Sequence, residues 1–265
     1  MRLVLSAFIL AFLAACGSTK EADTYVEAPV EQLYNDATDA MTDGRFSQAA
    51  KLFDEVERQH PYSIWATKAQ LMAAFAQYSQ AKYDEAIGTA DRFIQLHPGN
   101  RDVAYAYYMR ALSYYEQITD VRRDQRITSD AMKSLEDVIR RFPESNYARD
   151  ARIKLDLTRD HLAGKEMNIG RYYQKQGQFT AAIGRFRRVV DDYQTTSHVP
   201  EAMHRLTEAY LAVGLREEAE KVASVLGHNY PGSDWYADSY GLLQGGERPG
   251  LENRGFFART IGSIF

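Results

Sequence analysis

The groups in this chain able to do chemistry are one cysteine, Cys16, six histidines and 36 acidic residues. No G-x-S-x-G, no H-E-x-x-H and no glycine-rich phosphate loop is present, so the usual nucleophile, zinc and nucleotide signatures are missing. A lone cysteine builds neither a disulfide framework nor a thiolate metal cage. His60 and His97 each stand directly before a proline at the end of an apolar stretch, a position that suits a structural role at a helix end. His198 and His204 are six apart and would not share a helix face, so they make a poor metal pair. The acidic residues are read as occurring singly on polar faces, with no paired general acids among them. The expectation is a non-enzymatic protein with no catalytic residue, no metal and no cofactor. With Lys+Arg at 32 against Asp+Glu at 36, the net charge of -4 offers no basic footprint for nucleic acid.

The cysteine sits where a different chemistry is expected. Met1-Arg2 gives a positive start, Leu3 to Ala15 is apolar apart from Ser6, and Leu13-Ala14-Ala15-Cys16-Gly17 follows. This apolar stretch falls short of the roughly 20 residues a membrane-spanning helix needs, so it reads as an export signal over 1–15. Leu-Ala-Ala-Cys resembles the bacterial lipobox. That resemblance implies an S-diacylglycerol on Cys16, cleavage before it and acylation of the new amine; the alternative is an ordinary signal with an incidental thiol. Three acyl chains would hold the chain firmly on a membrane. Residues 16–29 are polar and aperiodic after the cysteine and read as a lipidated tether. Gly17, rather than an aspartate, resembles lipoproteins sorted to the outer membrane, with the body on the periplasmic face.

The elements that follow are repeats. Aligned on Ala49, Ala86, Ala131, Ala182 and Ala219, the segments carry apolar residues four on (Phe53, Ala90, Leu135, Phe186, Ala223) and seven on (Val56, Phe93, Val138, Val189, Leu226), the spacing of one helix face. Twelve on stand Pro61, Pro98, Pro143 and Pro231, with Gln194 in the fourth segment. Proline disfavours helix in the residue before it, and Ser63, Asn100, Ser145 and Ser233, two residues later, suit capping of the next helix. Five before the anchor alanine come Gly44, Ala81, Gly177 and Gly214, turn residues; twelve before come Ala37, Ala74, Gly170 and Thr207, all small enough for close helix approach. This pattern is similar to the tetratricopeptide repeat, a pair of antiparallel helices. It predicts an all-α, right-handed solenoid of about five helix pairs: repeats 1–3 over 30–145, then one long linking helix, with a possible bend at Gly164, and repeats 4 and 5 over 146–240. An insertion around Gln117 to Thr128 widens repeat 3. Residues 241–265 are a glycine-rich linker and an aromatic tail from Arg254, either a frayed end or a docking helix.

Aromatic residues concentrate on the first helices of repeats 2 and 3, which line the groove in such arrays. Tyr62, Trp65, Phe75, Tyr78, Tyr105, Tyr107, Tyr108, Tyr114 and Tyr115 fall there, and tyrosine suits both core packing and interface contact. Tyr62, Trp65, Tyr78, Tyr105 and Tyr108, with Arg110 to take a terminal carboxylate, are the expected peptide groove. Arg122-Arg123 either add to that charge or form a solvated loop.

Three stretches carry a closer resemblance: His60-Pro61-Tyr62-Ser63, the run from Ala90 to Pro98, and Tyr105-Ala106-Tyr107-Tyr108-Met109-Arg110-Ala111-Leu112. They are similar to the BamD (ComL) family, lipoproteins of the outer-membrane β-barrel assembly machinery, over about residues 30 to 230. The resemblance implies amino-terminal repeats that receive unfolded outer-membrane barrel proteins, and carboxy-terminal repeats that hold a POTRA domain of BamA alongside other Bam lipoproteins. Tyr172-Tyr173, Gly177 and Arg185 match the family's fourth repeat, so Arg185 and Tyr173 are the expected BamA contacts; the alternative for Arg185 is an exposed helical charge. Competing readings are another periplasmic repeat lipoprotein, such as a secretin pilot or division coordinator, and a repeat-bearing envelope hydrolase.

Overall fold

The computed structural model describes residues 27–120 and 123–244. Cys16 and the signal before it, Arg122, and the tail from Arg254 lie outside the described residues. Eleven helices are present among the described residues: α1 (Val30–Thr42), α2 (Phe46–Gln59), α3 (Ile64–Ser79), α4 (Tyr83–Leu96), α5 (Val103–Glu116), α6 (Arg126–Arg141), α7 (Asn146–Lys175), α8 (Phe179–Asp192), α9 (Val199–Ala212), α10 (Arg216–Asn229) and α11 (Asp234–Leu243). Each of α1 to α10 packs on the next, and α1–α3, α3–α5, α5–α7 and α9–α11 also touch, so the odd-numbered helices form one layer and the even-numbered ones the other.

The repeat register explains why. All five anchor alanines are fully buried, together with Phe53, Phe93, Leu135, Phe186 and Leu226 of the same stripe. A fully buried Phe or Leu is worth about 2–3 kcal/mol, and no other face of these short helices is apolar enough to compete. In four of the five pairs the chain reverses through a left-handed residue: Gly44, Gly177 and Gly214 have φ of 72–79°, and Ala81 has φ 58°; the longer α5–α6 connector has none among the described residues. Gly170 permits close contact of α7 with α8, because a Cβ there would lie 2.4 Å from the Phe186 ring.

Between pairs, the even-numbered helices α2 to α10 end alike. His60, His97, Phe142, Tyr193 and Tyr230 adopt φ between −127° and −135° and ψ between 43° and 56°. Each carbonyl then accepts from the amide three residues on, at 3.0–3.1 Å. The proline missing at Gln194 therefore changes nothing in the turn; Thr196 Oγ1 donates to the Tyr193 carbonyl at 2.8 Å, as Ser145 Oγ does to Phe142. Ser63, Ser145 and Ser233 cap the following helices, accepting from Ala66, Ala148 and Trp235 amides at 3.0–3.2 Å. Asn100 differs from the expected cap: its Oδ1 accepts from the Asp102 amide at 2.8 Å, a turn made before α5 begins. The connector there is longer, and the helix starts only at Val103.

α7 runs unbroken through Gly164 for 30 residues, about 45 Å at 1.5 Å per residue. Its first half presents Ala151 and Leu155 to α5 and α6, and its second half presents Ala163 and Met167 to the core around α8 and α9.

Candidate functional site

On the odd-numbered layer three tyrosines of α5 and α7 are in ring contact, and a fourth, Tyr78 of α3, stands close enough to act electrostatically on two of them. Tyr147 of α7 stacks on Tyr108 of α5, with centroids 5.1 Å apart and planes at 29°, and lies 5.7 Å from Tyr105. Tyr78 of α3 completes the belt, hydrogen-bonding Glu116 at 3.2 Å. The Tyr108 hydroxyl donates to Asp150 Oδ2 at 2.6 Å, and Lys154 reaches the same carboxylate at 3.2 Å while sitting 5.3 Å over the Tyr115 ring. Burial pushes the Tyr78 phenol up to about 12, with the Glu116 charge adding, and burial does the same at Tyr105, also to about 12. Tyr108 is raised as well, by burial and then by its bond to Asp150. These phenols stay protonated at neutral pH, so they offer rings and hydrogen bonds. The belt is part-buried, which leaves ring faces for side chains of a bound segment and Lys154 as a nearby cation.

The expected groove residues divide. Tyr78, Tyr105 and Tyr108 are brought together. Trp65 packs into the first repeat's core, 4.7 Å from the Tyr34 ring. Tyr62 is 101% exposed on the α2–α3 connector, and no ring pairing involves it among the described residues. Arg110 also departs from the expectation: its side chain is only 17% exposed and it spans Asp91 of α4 and Asp137 of α6 at 3.0 and 3.4 Å. It stacks over Tyr107, which itself faces Phe142, so its charge is spent between the even-numbered helices and not in the belt. Tyr147, Asp150 and Lys154 were missed. Tyr147 was findable, because it stands two residues after its capping serine just as Trp65 and Trp235 do.

On α8, Arg185 and Arg188 share one carboxylate, Glu166 of α7, at 3.1 and 3.0 Å. Glu166 is largely covered while Arg188 is exposed, and Asp192 also acts on Arg188 while Asp191 pairs with Arg187 at 3.9 Å, so the rim is a mixed-charge surface from which Arg188 projects. Tyr173 rests against the core of this half, and its neighbour Tyr172 is the exposed ring.

The expectation that acidic residues sit singly on polar faces fails at α9. Glu201 and Glu208 flank Arg205, which is 4% exposed, at 3.5 and 2.7 Å; Arg171 of α7 binds Glu201 at 2.6 Å. His204 joins through Ser239 of α11 at 2.9 Å and Glu208 at 3.6 Å. Burial raises both carboxyls, but Arg171 and Arg205 for Glu201, and His204 and Arg205 for Glu208, outweigh it and hold them below the usual range. Burial keeps His204 below its ordinary value. Among the described residues no group of three or more His, Cys, Asp or Glu is arranged to hold a metal, and no helix is long and apolar enough to cross a membrane.

Helix pairs in register, a left-handed turn at Gly44, Ala81, Gly177 and Gly214, and rings gathered on the inner layer define a repeat protein of the tetratricopeptide class. The family model described as YfiO, outer membrane lipoprotein, matches residues 26–226, and the chain belongs to that family. The outer membrane protein assembly factor BamD of Caulobacter vibrioides is 50% identical over 252 residues, covering 94% of this chain and 83% of that protein. The BamD of Rickettsia prowazekii is 47% identical over 232 residues, covering 88% and 92%. The TPR2AB domain of yeast Sti1, as solved in its complex, is 10% identical, with a TM-score of 0.42 and coverage of 81% of this chain and 83% of that one.

Proposed function

We propose that this chain is a non-enzymatic assembly factor for outer-membrane β-barrel proteins, held on the periplasmic face of the outer membrane by acyl chains on Cys16. The single observation that carries the reading is the tyrosine belt of Tyr78, Tyr105, Tyr108 and Tyr147 on α3, α5 and α7, in a chain half identical to a BamD. Barrel precursors in an unfolded state expose alternating aromatic and aliphatic side chains, and a part-buried belt of rings recognises such segments by area and stacking. Lys154, paired with only one carboxylate, takes over the role expected of Arg110 toward a peptide's terminal carboxylate. The second partner is a POTRA domain of BamA, with the other Bam lipoproteins alongside, docking on the charged rim of Arg185 and Arg188, with the exposed Tyr172 ring packed against Tyr173 on the same half.

A fluorescent peptide ending in an aromatic residue tests the belt. Tyr147→Ala removes the ring shared by Tyr105 and Tyr108, and its loss is expected to weaken binding about tenfold, the scale of one central aromatic contact. Unchanged affinity with retained helical content would refute the belt as the receiving surface.

A further inference from the structure

The way the chain enters the fold fixes one corner of the molecule. The Ala28 amide donates to Gln59 Oε1 at 3.0 Å, and His60 Nε2 donates to the Ala28 carbonyl at 2.8 Å. The backbone at Ala28 is thus pinned to the end of α2. The residues that follow His60 around that corner are Pro61, Tyr62, Ser63 and Ile64, and Tyr62 and Ile64 are 101% and 74% exposed. Ser63 caps α3 through the Ala66 amide, so both side chains are presented outward by an ordered turn. Lys68 lies one helical turn beyond Ile64 on the same face, its Nζ 5.3 Å over the Trp65 ring. Tyrosine, an aliphatic side chain and a lysine at one edge match the chemistry of a membrane interface, where amphipathic rings sit at headgroup level and ammonium groups meet anionic lipid.

We propose that this corner, Tyr62 and Ile64 with Lys68, is a lipid-contact edge that seats the α2–α3 end of the solenoid on the membrane holding Cys16. The inference rests on the acylated-cysteine reading. Ala28 stands twelve positions after Cys16, a reach of at most ~40 Å. Because the chain leaves the fold at this corner, contact with the membrane is intramolecular, at millimolar effective concentration, and two exposed side chains suffice to bias the orientation. A lipid surface also accounts for the exposure itself: Tyr62 stands fully exposed on its connector, and the ring contacts of the belt are made without it.

The test uses the full acylated chain in vesicles of phosphatidylethanolamine and phosphatidylglycerol. Acylation consumes the single native thiol, so Thr67→Cys, next to the edge and not part of it, introduces one labelling site. Leu215→Cys, in the turn between α9 and α10, labels the opposite edge, since turns within pairs and turns between pairs lie at opposite helix ends. Flotation with the vesicles reports the anchor. The edge predicts that a fluorophore at 67 is shielded from aqueous iodide about threefold more than one at 215, and that Tyr62→Ser with Ile64→Ser, which keep the helical signal, abolishes the difference. Equal quenching at both positions in a floating protein would overturn the edge and leave the anchor standing. A chain that fails to float removes the anchor, and the edge with it. Shielding that appears only when a POTRA protein is added would make the corner a protein surface and refute the lipid assignment.

Discussion

Replacing Gly170 with alanine should destabilise the carboxy-terminal half, although the same change elsewhere in a helix does the opposite. A Cβ at 170 would stand 2.4, 2.7 and 2.9 Å from three atoms of the Phe186 ring, and Phe186 is fully buried. Forcing one methyl into such a core costs about 1–3 kcal/mol, while alanine over glycine in a helix interior returns about 1 kcal/mol; contacts this short place the cost at its upper end, for a net loss of about 2 kcal/mol. Gly184 is the control, since it lies inside α8, is exposed and has nothing within 4 Å of a Cβ. Gly184→Ala should therefore stabilise by about 0.5–1 kcal/mol. Urea unfolding followed by helical circular dichroism measures both, and Phe186→Leu introduced beside Gly170→Ala should cost less than the sum of the two single changes. If Gly170→Ala proves as stable as wild type, or if the two substitutions add without coupling, the close packing of α7 on α8 does not explain the glycine.

Three further outcomes follow from particular residues. Ala81 is the one non-glycine with positive φ among the described residues, a conformation that costs an L-residue about 1–2 kcal/mol; Ala81→Gly should raise stability by about 0.5–1 kcal/mol in the same urea assay, and a loss would contradict it. The α9 network predicts acid sensitivity. His204 is held below 6.5 by burial, so the unfolded chain takes up its proton first and stability begins to fall as pH drops below about 6.5; Glu201 and Glu208 are held below 4.5, so their contribution is lost as pH falls through that range toward their folded values. His204→Gln should flatten the thermal midpoint between pH 7 and 5 while leaving the fall below pH 4.5, and an unflattened profile would show that His204 is not the group responsible. Arg185→Glu sets a second carboxylate beside Glu166 and should weaken the proposed BamA contact at least tenfold, with helical content intact; pull-down against isolated POTRA domains reads this directly, and unchanged recovery would remove Arg185 from the contact.

The repeat register was legible because it is written in local spacing: alanine, +4, +7 and the left-handed turn residue each follow from helix geometry alone, and each lands where the structure needs it. Charge partners were not. Arg110 looks available in sequence because Asp91 and Asp137 reach it from α4 and α6, 19 and 27 residues away. Glu201, Arg205 and Glu208 follow helical spacing on one stripe of α9, and that alternation of sign inside an otherwise apolar helix was the signal passed over. Tyr62 sits in a run of aromatics that otherwise turn inward, and only the connector's geometry separates it from them. Three of the belt's four rings, on α3 and α5, were legible, and the fourth, Tyr147 on α7, was overlooked because that helix was read as a linker.

The most direct test of the central claim is affinity purification of the native protein from outer membranes in mild detergent, with mass spectrometry of its partners, for wild type and Arg185→Glu in parallel. The account predicts a POTRA-containing barrel protein in near-equal amount with the wild type and its depletion with the variant. Recovery of a secretin, a division protein or no stoichiometric partner from the wild type would contradict it.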